Sequence, residues 1–154
     1  MCGITGKISF NGEVNESTVQ NMADRLAHRG PDDQGIYTDE QVGLAHRRLS
    51  IIDLSVAGRQ PMTNETGTIW LVFNGEIYNY LELRECLLAN GHTFSSDSDS
   101  EVIIHLYEEE GIGCLEKMRG MFGFALYDSE KKRVYLARDR FGEKPLYFHQ
   151  SAEG

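Results

Sequence analysis

The sequence predicts an α+β fold of stacked sheets and helices, and three features carry that expectation. Strand-type segments outnumber helix-type ones, at roughly seven against three or four. Several of those strands, "TIWLVF" (68–73) above all, are apolar at successive positions, the pattern of a sheet covered on both faces. The helical segments are grouped and do not alternate one for one with strands, which favours segregated layers over a parallel α/β wrap.

In chain order, "GITGKISF" (3–10) is short and partly alternating, a strand running straight out of the N-terminus. "STVQNMADRLAHRGP" (17–31) reads as a helix. Ser17 and Gln20 fit a capping box, Val19, Met22, Ala23 and Leu26 form one apolar stripe, and Gly30-Pro31 ends it. "GIYTD" (35–39) and "VGLAHRRLSIIDLS" (42–55) read as strands, followed by the loop "VAGRQPMTNETG" (56–67), of a length that often serves a function. "TIWLVF" stops at "NGE" (74–76), where Asn74-Gly75 has the composition of a turn. "YLELRECLLANG" (80–91) is a second helix closed by Asn90-Gly91. Ser98 and Glu101 make another capping box opening "DSEVIIHLYEEEG" (99–111), which places Asp99 in the first turn. "MFGFALYD" (121–128), the polar turn "SEKK" and "RVYLARD" (133–139) make a hairpin, after which "GEKPLYF" (142–148) resumes an extended pattern. A single domain spanning 1–154 is expected, and the stop soon after a strand pattern suggests part of a longer protein.

A net charge of −9 with no basic run disfavours nucleic acid or an anionic membrane surface as a partner. No apolar run approaches the roughly 20 residues of a membrane span, and the N-terminus lacks the layout of a secretory signal, so a cytoplasmic protein is expected. The three cysteines show no CxxC and no metal-like spacing to the five histidines, and no metal site is expected. Cys86 and Cys114 lie among apolar neighbours and read as core. Cys2 is left to explain.

Removal of Met1 would make Cys2 the N-terminus, with a free α-amine beside its thiol. An amine of pKa roughly 7.7–8.0 can accept the proton that the thiol loses when it attacks a carboxamide, so nucleophile and base occupy one residue. Gly3 leaves room for a substrate carbonyl to approach. Asn74 and the Gly75 N–H offer donors for an oxyanion, although Asn-Gly is ordinarily only a turn. One of Arg47 and Arg48 should face inward, and an inward guanidinium suits either a bidentate grip on a carboxylate or a structural salt bridge. Asp99, at a helix start, should stay ionised and could hold an ammonium. His28 in "HRGPDD" reads as a capping or packing group. The phosphate-loop, dinucleotide and GxSxG signatures are missing, so nucleotide chemistry is not encoded here.

Taken in order, Cys2, "HRGPD", "AHRRLSIIDLS", "NGEIYN", "SDSEVI", "GMFGFALYD" and "RDRFGEKPLY" resemble the glutaminase domain of glutamine-hydrolysing asparagine synthetases, over nearly the whole chain. The resemblance implies a class II glutamine amidotransferase with the N-terminal nucleophile hydrolase fold, a four-layer αββα sandwich of two antiparallel sheets between helices. It implies that Cys2 attacks the glutamine side-chain amide, that its own amine moves the proton, and that Asn74 with Gly75 forms the oxyanion hole. Arg48 matches the residue holding the α-carboxylate, and Glu76 and Asp99 match those around the α-ammonium. Leu49, Ile51 and Ile52 line the same pocket. Asp97 departs from the pattern by adding a second acid near Asp99.

By the same resemblance, glutamine is the substrate, and ammonia passes to a C-terminal synthetase domain that this chain lacks. No cofactor is implied for this domain; ATP and Mg are implied for the missing one. The resemblance leaves room for a homodimer. Two alternatives stay open at this point: an amidotransferase of cell-surface sugar or peptide biosynthesis with a different acceptor, and a catalytically silent scaffold of the same fold.

Overall fold

The computed structural model describes residues 2–49 and 56–154, the side chain of Val56 excepted. Two antiparallel sheets form its centre. In the first, β1 (Gly3–Ile8) and β2 (Asp33–Asp39) flank β3 (Val42–Arg48). In the second, β4 (Met62–Thr63), β5 (Ile69–Ile77), β6 (Gly120–Asp128) and β7 (Arg133–Arg138) follow one another. Three helices complete the architecture: α1 (Glu16–Asp24), α2 (Tyr80–Ala89) and α3 (Glu101–Glu110), with 3-10 turns at Val56–Gly58 and Gly111–Glu116.

Strand alternation sorts the side chains into layers. Between the sheets, Val42 and Leu44 of β3 meet Val72 of β5 and Ala125 and Tyr127 of β6. Tyr37 stacks on Trp70 across this layer with ring centroids 3.9 Å apart, and the Tyr127 hydroxyl donates to Asp39 at 2.8 Å. On the outer face of the first sheet, Val19 and Ala23 of α1 bury Ala45. On the outer face of the second, Leu71, Phe73 and Ile77 of β5 and Phe122, Phe124 and Leu126 of β6 pack under Leu83 and Leu87 of α2 and Ile103 and Ile104 of α3. The order helix, sheet, sheet, helices is the expected αββα sandwich.

Six of the seven predicted strands and the 121–139 hairpin have counterparts among the described residues. Several local expectations do not. Asn74-Gly75 is no turn: β5 runs through it to Ile77, pairing Asn74 with Gly123 and Gly75 with Phe122 of β6. The sheet overrides a turn-forming dipeptide because a nine-residue neighbour is there to pair with it. Helix α1 stops at Asp24 and continues as turns, and neither predicted capping box forms; the N-caps are Asn15 and Ser100, without side-chain cap bonds. Asp99 therefore precedes α3 instead of lying in its first turn. Residues 142–148 form no strand, and the loop 56–67 contains a 3-10 turn and the short β4. Cys114 is buried as expected, whereas Cys86 is exposed, on the water-facing side of α2. His28 is also exposed. Ile51 and Ile52 lie outside the described residues. Among the described residues, no helix is long and apolar enough to cross a membrane.

Candidate active site

The rows of side chains that face between the sheets change character along their length. On β3 the row reads Val42, Leu44, His46, Arg48; on β5 it reads Trp70, Val72, Asn74, Glu76; Cys2 continues the row of Ile4 on β1. The apolar ends form the inter-sheet core. The polar ends meet around a cleft of ≈ 130 Å³ whose lining includes Cys2, Arg48, Leu49, Asn74, Gly75, Glu76 and Asp99. Every candidate predicted from sequence and described in the structure thus reaches one place. Antiparallel pairing of Gly3 with Arg47 brings Cys2 alongside Arg48.

The thiol is held at its base by backbone. The Leu49 N–H lies 3.5 Å from Cys2 Sγ, Sγ lies 3.7 Å from the Leu49 carbonyl, and Arg29 donates to the Cys2 carbonyl at 3.2 Å. Gly3 has a reason beyond substrate access: a Cβ there would meet Leu26 Cβ at 2.9 Å, so only glycine lets the turn after α1 close over β1. Gly75 is similar, because a Cβ would meet the Met121 carbonyl at 2.3 Å. Its backbone can lie flush against β6 only without a side chain.

Arg48 is buried and Arg47 only partly so, which resolves the pair in favour of Arg48 as the inward guanidinium. Arg47 instead donates to the Gln34 side chain. Asp97 and Asp99 divide as sharply. The Asp97 side chain is 95% exposed with Arg84 3.5 Å away, so it is a solvated loop charge, whereas Asp99 is 5% exposed and turned into the cleft. Burial is the main cause that raises the Asp99 carboxyl to about 6, with the neighbouring Glu76 charge adding to it and the Ile77 N–H, donated at 2.8 Å, opposing it. Two adjacent carboxylates in a half-closed cleft favour a cationic group between them.

The cleft lining also includes His46, Gln60 and Lys144, which were not identified from sequence. His46 is 1% exposed, and burial, against a weaker opposing contact from the Phe73 backbone, pushes its imidazole down to about 4, so the ring is neutral at pH 7. Counting two residues back from Arg48 along the strand finds it. The Gln60 carboxamide accepts the Phe73 N–H at 2.6 Å, extending the β5 ladder beyond β4; no local signal marks it. Lys144, in the motif "RDRFGEKPLY", is buried in the cleft. Asp139 holds it there by accepting four backbone N–H groups, from Phe122, Phe141, Glu143 and Lys144. Those bonds outweigh burial and hold the Asp139 carboxyl at about 2.

A half-buried thiol beside amide donors, a guanidinium and paired carboxylates suits amide chemistry on a zwitterionic substrate. The comparisons agree. A family model described as "Glutamine amidotransferase domain" matches residues 1–154. Asparagine synthetase [glutamine-hydrolyzing] 2 of Bacillus subtilis is 49% identical over 96% of this chain and 20% of its own length. Asparagine synthetase [glutamine-hydrolyzing] 1 of the same organism is 45% identical over 96% and 24%. Asparagine synthetase [glutamine-hydrolyzing] 3 of Arabidopsis thaliana is 43% identical over 100% and 26%. The chain thus spans about a fifth to a quarter of these curated relatives. Among solved structures, the glutamine phosphoribosylpyrophosphate amidotransferase of B. subtilis shares the fold, with TM-score 0.68 at 20% identity over 89% of this chain and 37% of that one. With its whole length matched and its fold shared, the chain belongs to the glutamine amidotransferase domain family.

Proposed function

We propose that this chain is the glutaminase part of a glutamine-hydrolysing asparagine synthetase. The convergence of Cys2, Asn74, Gly75, Arg48, Glu76 and Asp99 on one cleft supports the reading, together with the names of the relatives. With Met1 removed, Cys2 Sγ attacks the side-chain carbonyl of glutamine while its α-amine takes the thiol proton. Asn74 and the Gly75 N–H receive the oxyanion. The amine returns its proton to the departing nitrogen, ammonia leaves, and a thioester remains. Water then attacks the thioester, its proton returns to sulfur, and glutamate departs.

Arg48 grips the α-carboxylate, Glu76 and Asp99 hold the α-ammonium, and Leu49 lines the pocket; Ile51 and Ile52 are assigned to it by resemblance alone. The ammonia serves a synthetase domain outside this chain, which uses ATP and Mg to convert aspartate to asparagine in the cytoplasm. Phe141, Tyr147 and Phe148 are exposed aromatic side chains suited to contact with that partner.

The test is glutamate release by chain whose mass shows Met1 to be absent, before and after a glutamine-like chloroketone. Turnover, and a single label that Cys2→Ala loses together with turnover, is the expected result. Turnover surviving in Cys2→Ala, or neither turnover nor label in the Met1-free wild type, overturns the proposal.

A further inference from the structure

Away from the cleft, two histidines and four carboxylates gather where α3 meets the segment after α2 and the turn between β4 and β5. His105 and Glu108 are one turn apart on α3, and His92 follows α2. One ligand atom from each of the three lies within 4.8 Å of the others. Both Nδ1 atoms face the same oxygen: Glu108 Oε2 is 2.8 Å from that of His105 and 3.5 Å from that of His92. A tetrahedral zinc ion with ligand bonds of about 2.1 Å needs ligand atoms about 3.4 Å apart, so these two edges already bracket the requirement.

The opposite nitrogen is hydrogen-bonded to a carboxylate in His92 and only near one in His105. His92 Nε2 lies 3.0 Å from Glu109 Oε1, and His105 Nε2 lies 3.8 Å from Glu101 Oε1. The Glu109 carboxylate holds His92 as the Nε2–H tautomer and turns its Nδ1 lone pair toward Glu108, whereas His105 donates its Nδ1–H to Glu108 and gives up that proton to bind a metal. The carboxylates are fixed in turn: Asn64 donates to Glu108 at 2.9 Å, and Ser95 and Ser96 donate to Glu101 through backbone and hydroxyl. Glu65 adds negative field at both rings. Four carboxylates against two imidazoles leave the cluster negative even with both rings protonated. Arg84 sits 4.2 Å over the Phe94 ring, and that ring packs edge-on against His105.

We propose that His92, His105 and Glu108 bind one divalent transition-metal ion, best matched by zinc, in a structural site that joins α3 to the segment after α2. Two imidazoles and a carboxylate are a nitrogen-rich set that suits zinc and disfavours magnesium or calcium. The ion displaces the Nδ1 proton of His105, so binding releases protons and weakens as pH falls. The inference does not depend on the glutaminase reading, since none of the three residues lines the Cys2 cleft.

The experiment is equilibrium dialysis of the full chain against zinc chloride at pH 7.5, with metal analysis, after alkylation has removed the thiols as ligands. One zinc per chain is expected. His92→Gln and Glu108→Gln should each weaken binding by about 100-fold or more, and Glu109→Gln, which orients a ligand, by about 10-fold. Circular dichroism confirms that each variant is folded. Zinc should raise the melting temperature of wild type and of neither ligand variant. No stoichiometric zinc in wild type, or equal retention in wild type and His92→Gln, overturns the proposal.

Discussion

Asp99 shows how burial reverses an expectation drawn from sequence position. A helix-start acid would keep a low pKa, but this carboxyl precedes the helix, is desolvated, and sits beside Glu76. Its folded pKa of about 6 lies above the unfolded value, so the native state takes up a proton more readily and loses stability as pH rises from about 4 to 6. The stability withheld at neutral pH is at most about 3 kcal/mol. A bound ammonium would recover it. With Cys2→Ala blocking turnover, calorimetry should show glutamine affinity constant near pH 7.5 and falling about tenfold for each unit below 6. Asp99→Asn should bind weakly at every pH and raise the melting temperature of the unliganded protein at pH 7.5. A wild-type affinity flat from pH 7.5 to 5 would remove Asp99 from the ammonium site.

Elements place these residues through register and close approach. Glu101 opens α3 and binds the backbone of Ser95 and Ser96, so one carboxylate shapes the loop that presents Asp99; burial opposes its charge, but His105 and the serines hold it at about 2. The β5–β6 pairing around Gly75 is equally exacting. Gly75→Ala should cost about 1–3 kcal/mol in urea unfolding, because the new methyl meets backbone that cannot yield. Gly123→Ala on the facing strand is the control: its nearest neighbour would be 3.6 Å away, an ordinary contact, and the loss should stay under about 1 kcal/mol. Equal losses at the two positions would contradict the close approach.

At the scale of the molecule, stability and chemistry occupy different layers. The largest apolar cluster lies between the second sheet and α2 and α3, whereas the cleft opens between the sheets. Ile104, fully buried in that cluster and absent from the cleft, tests the separation. Ile104→Ala should lose about 2–5 kcal/mol of unfolding free energy yet keep kcat/KM for glutamine at 25 °C while folded. A lowered kcat/KM with unchanged stability would show that the layers are coupled.

The sequence by itself determined most of the strands, the hairpin and the layer class, because alternation and apolar runs are local properties of the chain, and its ordered motifs named the candidate residues. It misread Asn74-Gly75 as a turn and Cys86 as core, since a dipeptide's preference and a residue's neighbours in sequence do not reveal what packs across from them. Only the tertiary structure decided that the polar ends of three strand rows meet in one cleft, that His46 and Lys144 join them, and that burial sets the Asp99 carboxyl near 6. Those outcomes depend on pairing register and desolvation, which arise when segments distant in the chain are brought together.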